Sequence, residues 1–259
     1  MINLGLVFYK ADEAEFVEKL RKLSSVVDNL IVFLNSSISD LPVFENLTIL
    51  GTTENVGIGC ALNEISRFAL SRSWSFVIFL DQDTGLTSEH LDLYRVHIAE
   101  DKYDFVFPAY EEGQLEIQCL TSASLNRVSM IRQNGFFDEG LFIDEVDGFF
   151  FYRMSKNFPN VRIFMDRKII VAHKLGEKKH RRLLGRQVVS DNHSPLRKYY
   201  IARNRTYLGL RHRALFLVYC KDSFIKLMKM LLVEDKIVLK SVYIVHGIIH
   251  GIFGRLGKR

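Results

Sequence analysis

Short apolar runs alternate with amphipathic helical patterns through the first half of the chain. The runs include LGLVFY, NLIVFLN, LTILGT and FVIFLDQD, and the segment between the first two places Phe16, Leu20 and Leu23 on one side of a helix. Apolar strands separated by helices are typical of a parallel sheet that is covered on both faces. We therefore predict an α/β fold with a mostly parallel, Rossmann-like sheet flanked by helices.

The composition is that of a globular protein. The chain has 259 residues, of which 48% are hydrophobic, and this is enough to bury a full core. Its three cysteines are odd in number and far apart, so they match neither a disulfide framework nor a zinc motif, and we expect reduced thiols. The first residues, MINLGLVFYK, lack the pattern of a signal peptide and predict a first strand in a cytosolic protein.

Charge is divided unevenly along the chain. Residues 1–159 carry 12 Lys and Arg against 24 Asp and Glu, whereas residues 160–259 carry 23 against 6. A basic C-terminal part suits anionic lipid or a phosphorylated substrate, and we do not expect nucleic acid because no motif of that class is present. This shift in charge predicts two domains, residues 1–175 and a basic, helical extension over residues 176–259.

The longest apolar stretch near the end, VYIVHGIIHGIFG, lies between Lys240 and Arg255. It is shorter than the ~18 residues of a spanning helix. With Lys226, Lys229 and Lys236 before it, the stretch is typical of a helix that lies on an anionic membrane surface. A packed pair of helices is the alternative.

Asp81 and Asp83 end the apolar run FVIFLDQD and are followed by Gly85. Two residues apart on a strand, they project the same way into the crevice where parallel sheets bind ligands, and Asn35 and Asn55 also fall at strand ends. Carboxylate oxygens suit Mg²⁺ or Mn²⁺, which in turn suits a diphosphate. The alternative is a solvated turn in which Asp83 caps the next helix.

Five blocks follow one another in a characteristic order: ENVGIGCALN, FVIFLDQDTG, GFFDEGLFIDEVDGFFFYR, VAHKLGE and SPLRKYYIARN. Together they resemble the family 2 glycosyltransferases, and most of all the rhamnosyltransferase-like branch that builds bacterial surface polysaccharides such as O-antigen. The resemblance implies a GT-A fold, a divalent metal and inversion at the anomeric carbon. It also implies a dTDP- or UDP-sugar donor, a lipid-linked oligosaccharide acceptor, and a place at the inner face of the cytoplasmic membrane.

The resemblance assigns roles to particular residues. Asp83 and His173 would hold the metal, and Asp81 would lie near the ribose. The other residues expected to bind the donor are Phe8, Tyr9, Asn35, Asn55, Gly57, Asn63, Gln82 and Arg203. Structural roles stay open for three of these residues, since Asn55 also suits a helix cap, His173 a buried core site, and Arg203 an anchor for the C-terminal helix.

An inverting transfer needs one carboxylate to remove a proton from the acceptor hydroxyl. Asp144, Glu145 and Asp147 are the candidates within FIDEVDG. Alignment on Arg153 puts Asp147 where the family carries its catalytic aspartate, and Asp144 is the second choice. At least one of the three is expected to cap the following helix.

Some positions depart from the family pattern. Leu34 stands where relatives carry Asp before Asn35, Ser122-Ala123 replaces the usual Ser-Gly, and Phe149 replaces an acidic residue. We therefore expect the choice of nucleotide and acceptor to be particular to this protein.

Three alternatives stay open. FLDQDTG also resembles the motif of haloacid dehalogenase-type phosphatases, although those usually carry it on their first strand. A non-catalytic module that binds sugar nucleotides is the other class of function. The basic segment EKKHRRLLGR, residues 177–186, is either a solvated charge run or a lid over the leaving diphosphate.

Overall fold

The computed structural model describes residues 1–171, 179–183 and 186–259. The chain divides into two compact units, one made of Met1–Glu139 with Val146–His173 and the other of Gly140–Glu145 with Lys174–Arg259. The short segment 140–145 therefore belongs to the second unit, although its neighbours along the chain on both sides belong to the first.

A seven-stranded sheet forms the core of the first unit. Its strands are β1 (Asn3–Phe8), β2 (Asn29–Leu34), β3 (Leu47–Gly51), β4 (Phe76–Asp81), β5 (Phe105–Ala109), β6 (Leu125–Arg127) and β7 (Ile163–Ile170). They lie in the order β3-β2-β1-β4-β6-β5-β7. All adjacent pairs are parallel except the two that involve β6. The predicted mostly parallel α/β sheet is confirmed.

Five helices accompany this sheet: α1 (Glu13–Ser24), α2 (Ile58–Ser71), α3 (Ser88–Glu100), α4 (Val128–Gln133) and α5 (Val146–Asn157). Helix α1 begins after Asp12, whose carboxylate accepts a hydrogen bond from the Glu15 amide at 2.8 Å, as an N-cap does. Its buried side chains are Phe16, Leu20 and Leu23, as the sequence pattern predicts.

Burial explains where the apolar runs end. All six residues of β1 are buried, and so are the first five of β4, because both faces of the sheet are covered. Asp81, the last residue of β4, is half-buried. The polar side chains of the candidate site therefore begin where the sheet leaves the core.

The second unit contains the hairpin of β8 (Lys179–Leu183) and β9 (Arg186–Ser190) and three helices, α6 (Pro195–Arg211), α7 (Arg213–Val233) and α8 (Ile237–Ile252). Gly247 and Gly251 let α8 approach α6 closely, since an added Cβ at either position would clash with the main-chain oxygen of Tyr199 or of Arg203. No helix within residues 1–171, 179–183 and 186–259 is both long and apolar enough to cross a bilayer.

A buried ion cluster joins the elements of this unit. The Glu234 carboxylate accepts hydrogen bonds from Lys198 at 2.8 Å, from Lys240 at 2.6 Å and from the Ser190 hydroxyl. Burial alone would raise the pKa of Glu234, but hydrogen bonds from Lys198, Lys240 and Ser190 outweigh it and lower the pKa. The sequence pattern predicted Lys240 to be a surface cation, and this prediction is wrong because Lys240 is 3% exposed.

Candidate functional site

A tight turn follows the end of β4 and carries both aspartates. The Thr84 amide donates to the main-chain oxygen of Asp81 at 3.2 Å. The Ser122 hydroxyl accepts from the Asp81 amide at 3.1 Å and donates to the Thr84 hydroxyl at 2.9 Å. Thr84 is buried whereas Asp83 is exposed. Hydrogen bonds to Ser122 and the buried Thr84 thus hold the turn against the core, and Asp83 is exposed to solvent.

Lys19 of α1 supports the same turn. Its ammonium group donates to the main-chain oxygens of Asp81 at 2.8 Å, Gln82 at 2.9 Å and Thr84 at 2.6 Å. Burial lowers the pKa of Lys19 to about 8, and the nearby carboxylates of Asp83 and Asp81 act in the opposite direction. Sequence analysis missed this residue, because a lysine on an amphipathic surface helix carries no signal of its own.

Gln82 holds the loop that follows β1. Its amide side chain accepts from the Tyr9 main-chain amide at 2.8 Å and donates to the Tyr9 main-chain oxygen at 2.9 Å. Both predicted residues therefore lie at the carboxyl edge of the sheet beside the aspartates. Gln82 links two strand ends there, and the Tyr9 ring is partly exposed.

Asn35 and Asn55 shape the glycine-containing loop before α2. The Asn35 side-chain oxygen accepts from the Val56 amide at 2.7 Å, and that of Asn55 accepts from the Gly57 amide at 2.9 Å. Gly57 directly precedes α2 with φ +89°, a conformation in which glycine alone is unstrained. These three predicted residues build one loop at the carboxyl edge of the sheet.

Asp147 lies in the first turn of α5 and contacts the segment that precedes β6. One of its carboxylate oxygens accepts from the Thr121 amide at 3.0 Å and from the Thr121 hydroxyl at 3.2 Å. Ser122, the next residue, bonds to Asp81 and Thr84. The dipeptide Thr121-Ser122 thus connects the candidate base with the aspartate turn, a link that the sequence did not reveal.

Two neutral groups lie beside these carboxylates. Tyr110 donates its hydroxyl hydrogen to the main-chain oxygen of Ser122 at 2.8 Å. Burial raises the pKa of Tyr110, and the charges of Asp147 and Asp81 add to this increase. Burial also raises the pKa of the Cys119 thiol to about 11, again with a contribution from Asp147. Both groups are therefore protonated at neutral pH.

Asp144 and Glu145 belong to the second unit and are already paired. The Arg197 guanidinium contacts Asp144 at 2.9 and 3.1 Å, and Arg205 contacts Glu145 at 2.6 Å. Both acidic residues have φ of +61°, in the left-handed region that non-glycine residues rarely adopt. Two hydrogen bonds from one guanidinium hold the Asp144 carboxylate in place, whereas Asp147 contacts the Thr121-Ser122 dipeptide beside the aspartate turn.

Two predicted donor-binding side chains lie inside the first unit. Phe8 packs against Phe16 with ring centroids 4.5 Å apart. Asn63 is 1% exposed, and its amide group exchanges hydrogen bonds of 2.8 and 3.0 Å with the main chain of Phe137. These contacts leave neither side chain a surface for a ligand, so we remove both from the candidate site.

Arg203 is equally buried within the second unit. Its guanidinium donates to the main-chain oxygens of Leu141 at 2.8 Å, Gly140 at 3.2 Å and Gly257. The group also lies over the rings of Tyr199 and Tyr200. This arrangement favours the anchoring role that the sequence also allowed over a bond to the donor phosphate.

The remaining residues suit a metal that is shared with a substrate. His173, the second predicted metal ligand, lies outside the described residues. In the part of the chain that the structure describes, no group of three or more His, Cys, Asp or Glu could hold a metal ion. Asp81 and Asp83 still supply hard carboxylate oxygens at one turn. This set fits Mg²⁺ or Mn²⁺, because Mg²⁺ is commonly held by one or two carboxylates together with substrate phosphates.

Comparison with known proteins identifies the fold. No known family model matches the chain, and no curated protein does. S. aureus TarS 1-349 is similar in structure, with a TM-score of 0.50 at 14% sequence identity over 98% of this chain and 72% of TarS 1-349. The same TarS fragment in complex with UDP-GlcNAc has a TM-score of 0.52 at 16% identity, over 98% of this chain and 73% of the fragment. At such identities the likeness shows the fold, and the predicted GT-A-like α/β fold is confirmed.

Proposed function

We propose that this protein is a glycosyltransferase that takes its sugar from a nucleotide-sugar donor. The observation that carries this proposal is the bonding of one dipeptide, Thr121-Ser122, to both the Asp81 turn and Asp147. A place for a metal-bound diphosphate and a general base are thereby held together in one unit. TarS, which has the same fold, was crystallised in complex with UDP and with UDP-GlcNAc, and this supports a nucleotide-sugar donor.

The chemistry assigns a role to each group. Asp83 would hold Mg²⁺ or Mn²⁺, and Asp81 at the same turn would lie near the ribose, as the resemblance implies, or serve as a second carboxylate ligand. When bound, the ion would supply positive charge to the departing diphosphate. Asp147 accepts the proton of the acceptor hydroxyl while that oxygen attacks the anomeric carbon. The new carbon–oxygen bond forms as the bond to the diphosphate breaks, and attack from the opposite face inverts the anomeric carbon. Thr121 orients Asp147 for this proton transfer.

The sequence resemblance extends the proposal to the substrates. We propose that the donor is a dTDP- or UDP-sugar, for example one that carries rhamnose. The proposed acceptor is a lipid-linked oligosaccharide of O-antigen or another surface polysaccharide. The enzyme would act at the inner face of the cytoplasmic membrane. Leu34, at the end of β2, stands where relatives carry an acidic residue, so the nucleotide specificity is expected to differ from theirs.

A panel of nucleotide sugars tests the proposal. Purified protein is incubated with each donor and Mn²⁺ or Mg²⁺, and release of the nucleoside diphosphate is followed with and without EDTA. We expect hydrolysis of one or a few donors, lost with EDTA and in Asp83→Ala.

Two results would support other functions. Metal-dependent donor binding in calorimetry with no release of diphosphate, even when acceptors are supplied, would favour a non-catalytic binding module. Hydrolysis of a phosphate monoester with labelling of Asp81 would favour a phosphatase. The structure gives the second alternative little support, because Asp81 ends β4 and not the first strand.

A further inference from the structure

The outward side of α8 is almost entirely apolar. Val238 is 80% exposed, and Phe253, which directly follows the helix, is 72% exposed. At ~100° per residue the exposed apolar positions cover about half of the helix circumference. Eight residues form this surface, which we call the α8 outer face: Val238, Leu239, Val242, Val245, Ile248, Ile249, Ile252 and Phe253.

The inner side of the same helix carries the polar and small residues. Lys240 is buried and bonds to Glu234, and Gly247 and Gly251 pack against α6. A surface helix in water normally shows the opposite arrangement, with its apolar stripe facing the core. Small residues four apart at a helix contact, with an apolar side turned outward, are typical of helices in a lipid environment.

Helix α7 also exposes large apolar side chains. Leu217 is 75% exposed and Phe224 63%, whereas Asp222 is paired with Arg205 and Lys226. Lys221 and Lys229 are exposed along the same helix. Apolar surface of this extent on one unit marks an interaction site.

Charge identifies the partner. Lys236 precedes α8, Arg255 and Lys258 follow it, and all three are exposed. Of the nearby acidic residues, Asp222 is ion-paired, and Asp235 is paired with Lys179. A surface with cations at both ends of its apolar part complements anionic lipid headgroups, whereas two copies of it would bring like charges together.

The sequence of α8 also suits a lipid surface better than it suits a second copy of the chain as partner. Coiled-coil seams are flanked by charged residues that select the partner. On α8 the corresponding flanking positions are Leu239 and Ile248, so the apolar surface is wider than a seam. A broad apolar side bordered by cations is the pattern of a helix that lies in a membrane interface.

We propose that the α8 outer face, supported by the exposed side of α7, docks on an anionic lipid bilayer. The apolar side chains enter the headgroup boundary, and the exposed lysines and arginines bind lipid phosphates. A helix of 16 residues is only about 24 Å long, which suits a position in the plane of the membrane. The inference deepens the proposed use of a lipid-linked acceptor, yet its test needs no catalysis, so the two proposals can fail separately.

Flotation of the full-length protein with vesicles tests this docking. The vesicles contain phosphatidylcholine alone or with phosphatidylglycerol. The double variant Val245→Ser, Ile252→Ser removes two exposed side chains of the α8 outer face, and Val96→Ser removes a valine of equal exposure from α3. We expect the wild-type protein to float with the anionic vesicles only, and the bound fraction to decrease as salt rises. Vesicle affinity should be ~10-fold or more weaker in the double variant. It should be unchanged in Val96→Ser.

Three results would overturn the proposal. They are equal flotation with both kinds of vesicle, wild-type flotation of the double variant, and a dimer in sedimentation that the double variant abolishes while no flotation occurs. If the double variant fails to fold, Lys229→Glu with Lys236→Glu replaces it. Both of these lysines are exposed, and retained flotation of that variant with anionic vesicles would equally contradict the proposal.

Discussion

The Nζ atom of Lys19 lies 2.8 Å from the main-chain oxygen of Asp81. The same ammonium group contacts the main-chain oxygens of Gln82 and Thr84. One cation from α1 therefore holds three carbonyl groups of the turn that presents the candidate metal ligands. Hydrogen bonds from a charged donor stabilise a protein by about 1.5–3 kcal/mol, so Lys19 is expected to be a positioning residue for this turn.

Replacement of Lys19 by methionine tests that role. Lys19→Met keeps most of the apolar stem but removes the donor, so we expect the free energy of unfolding to decrease by about 1–3 kcal/mol. Calorimetry should also show weaker metal-dependent donor binding. Lys22→Met, on the same helix and paired with the exposed Glu18, serves as the control. Unchanged donor affinity in Lys19→Met would show that the turn keeps its geometry without the lysine.

Asp83→Ala is expected to abolish metal-dependent donor binding. Asp83 is exposed at the turn, and the loss of one of two carboxylates leaves too few hard ligands for Mg²⁺ or Mn²⁺. Calorimetric titration of the donor with and without Mn²⁺ measures the effect. Asp92→Ala, an exposed aspartate on α3, should behave as wild type. Metal-dependent affinity that survives in Asp83→Ala would remove this residue from the metal site.

Asp147→Asn separates binding from chemistry. The amide keeps the shape of the side chain but cannot take up the proton, so we expect normal donor affinity and transfer slower by ~10²–10⁴-fold. In Asp144→Asn the bond to Arg197 is weakened, and we expect a change in stability with a much smaller loss of transfer. Rates of product formation for both variants decide between them. A large loss in Asp144→Asn with near-normal turnover in Asp147→Asn would make Asp144 the base.

Ala123, where the sequence resemblance leads us to expect glycine, has a positive φ. Its φ is +58°, in a region that strains a residue with a Cβ by about 1–2 kcal/mol. Ala123→Gly and Ala69→Gly each remove a buried methyl group, but Ala69 lies within α2, where glycine costs about 1 kcal/mol more than alanine. Urea denaturation should therefore find Ala123→Gly less destabilising by about 2 kcal/mol. Equal losses in the two variants would argue against strain at Ala123.

Glu234 is expected to make the second unit sensitive to acid. Hydrogen bonds from Lys198, Lys240 and Ser190 outweigh burial and hold its pKa below the usual 4.5. A lowered carboxyl pKa means that its contribution to stability is present above the usual value and is lost as the pH falls through the folded-state pKa.

The variant Glu234→Gln leaves two buried ammonium groups without a counter-charge. We expect a loss of about 3–5 kcal/mol at neutral pH and a weaker dependence of the free energy of unfolding on acid. Asp235→Asn, which removes an exposed carboxylate, should change little. Denaturation at a series of pH values compares the three proteins, and a wild-type acid profile in Glu234→Gln would assign the effect to other groups.

Local patterns in the chain were sufficient to predict the class of fold and the position of the aspartate turn. Apolar runs with helical patterns between them predict a parallel sheet that is covered on both faces. The spacing of apolar residues can be read from such patterns because it involves residues that are close in the chain. The end of the run FVIFL likewise marked Asp81 and Asp83 as residues at a strand end, where β4 leaves the core.

Contacts between side chains that are distant in the chain could not be predicted from such patterns and became visible in the folded protein. Thr121-Ser122 reaches the aspartate turn because β6 pairs antiparallel with β4, a pairing that no local pattern encodes. Partners that are distant in the chain assign Lys19 to the aspartate turn. Such partners also occupy the side chains of Asn63 and Arg203, which we had expected to bind the donor. Hydrogen bonds between distant residues depend on which elements become neighbours, and this follows from packing of the whole core.

The same limit applies to the C-terminal helices. Their apolar and basic composition is visible in the sequence, but composition alone does not say which side of a helix faces water. Packing of Gly247 and Gly251 against α6 and the bond between Lys240 and Glu234 turn the polar side of α8 inward. The apolar side is exposed because close helix contact requires small residues, and a buried lysine requires a counter-charge.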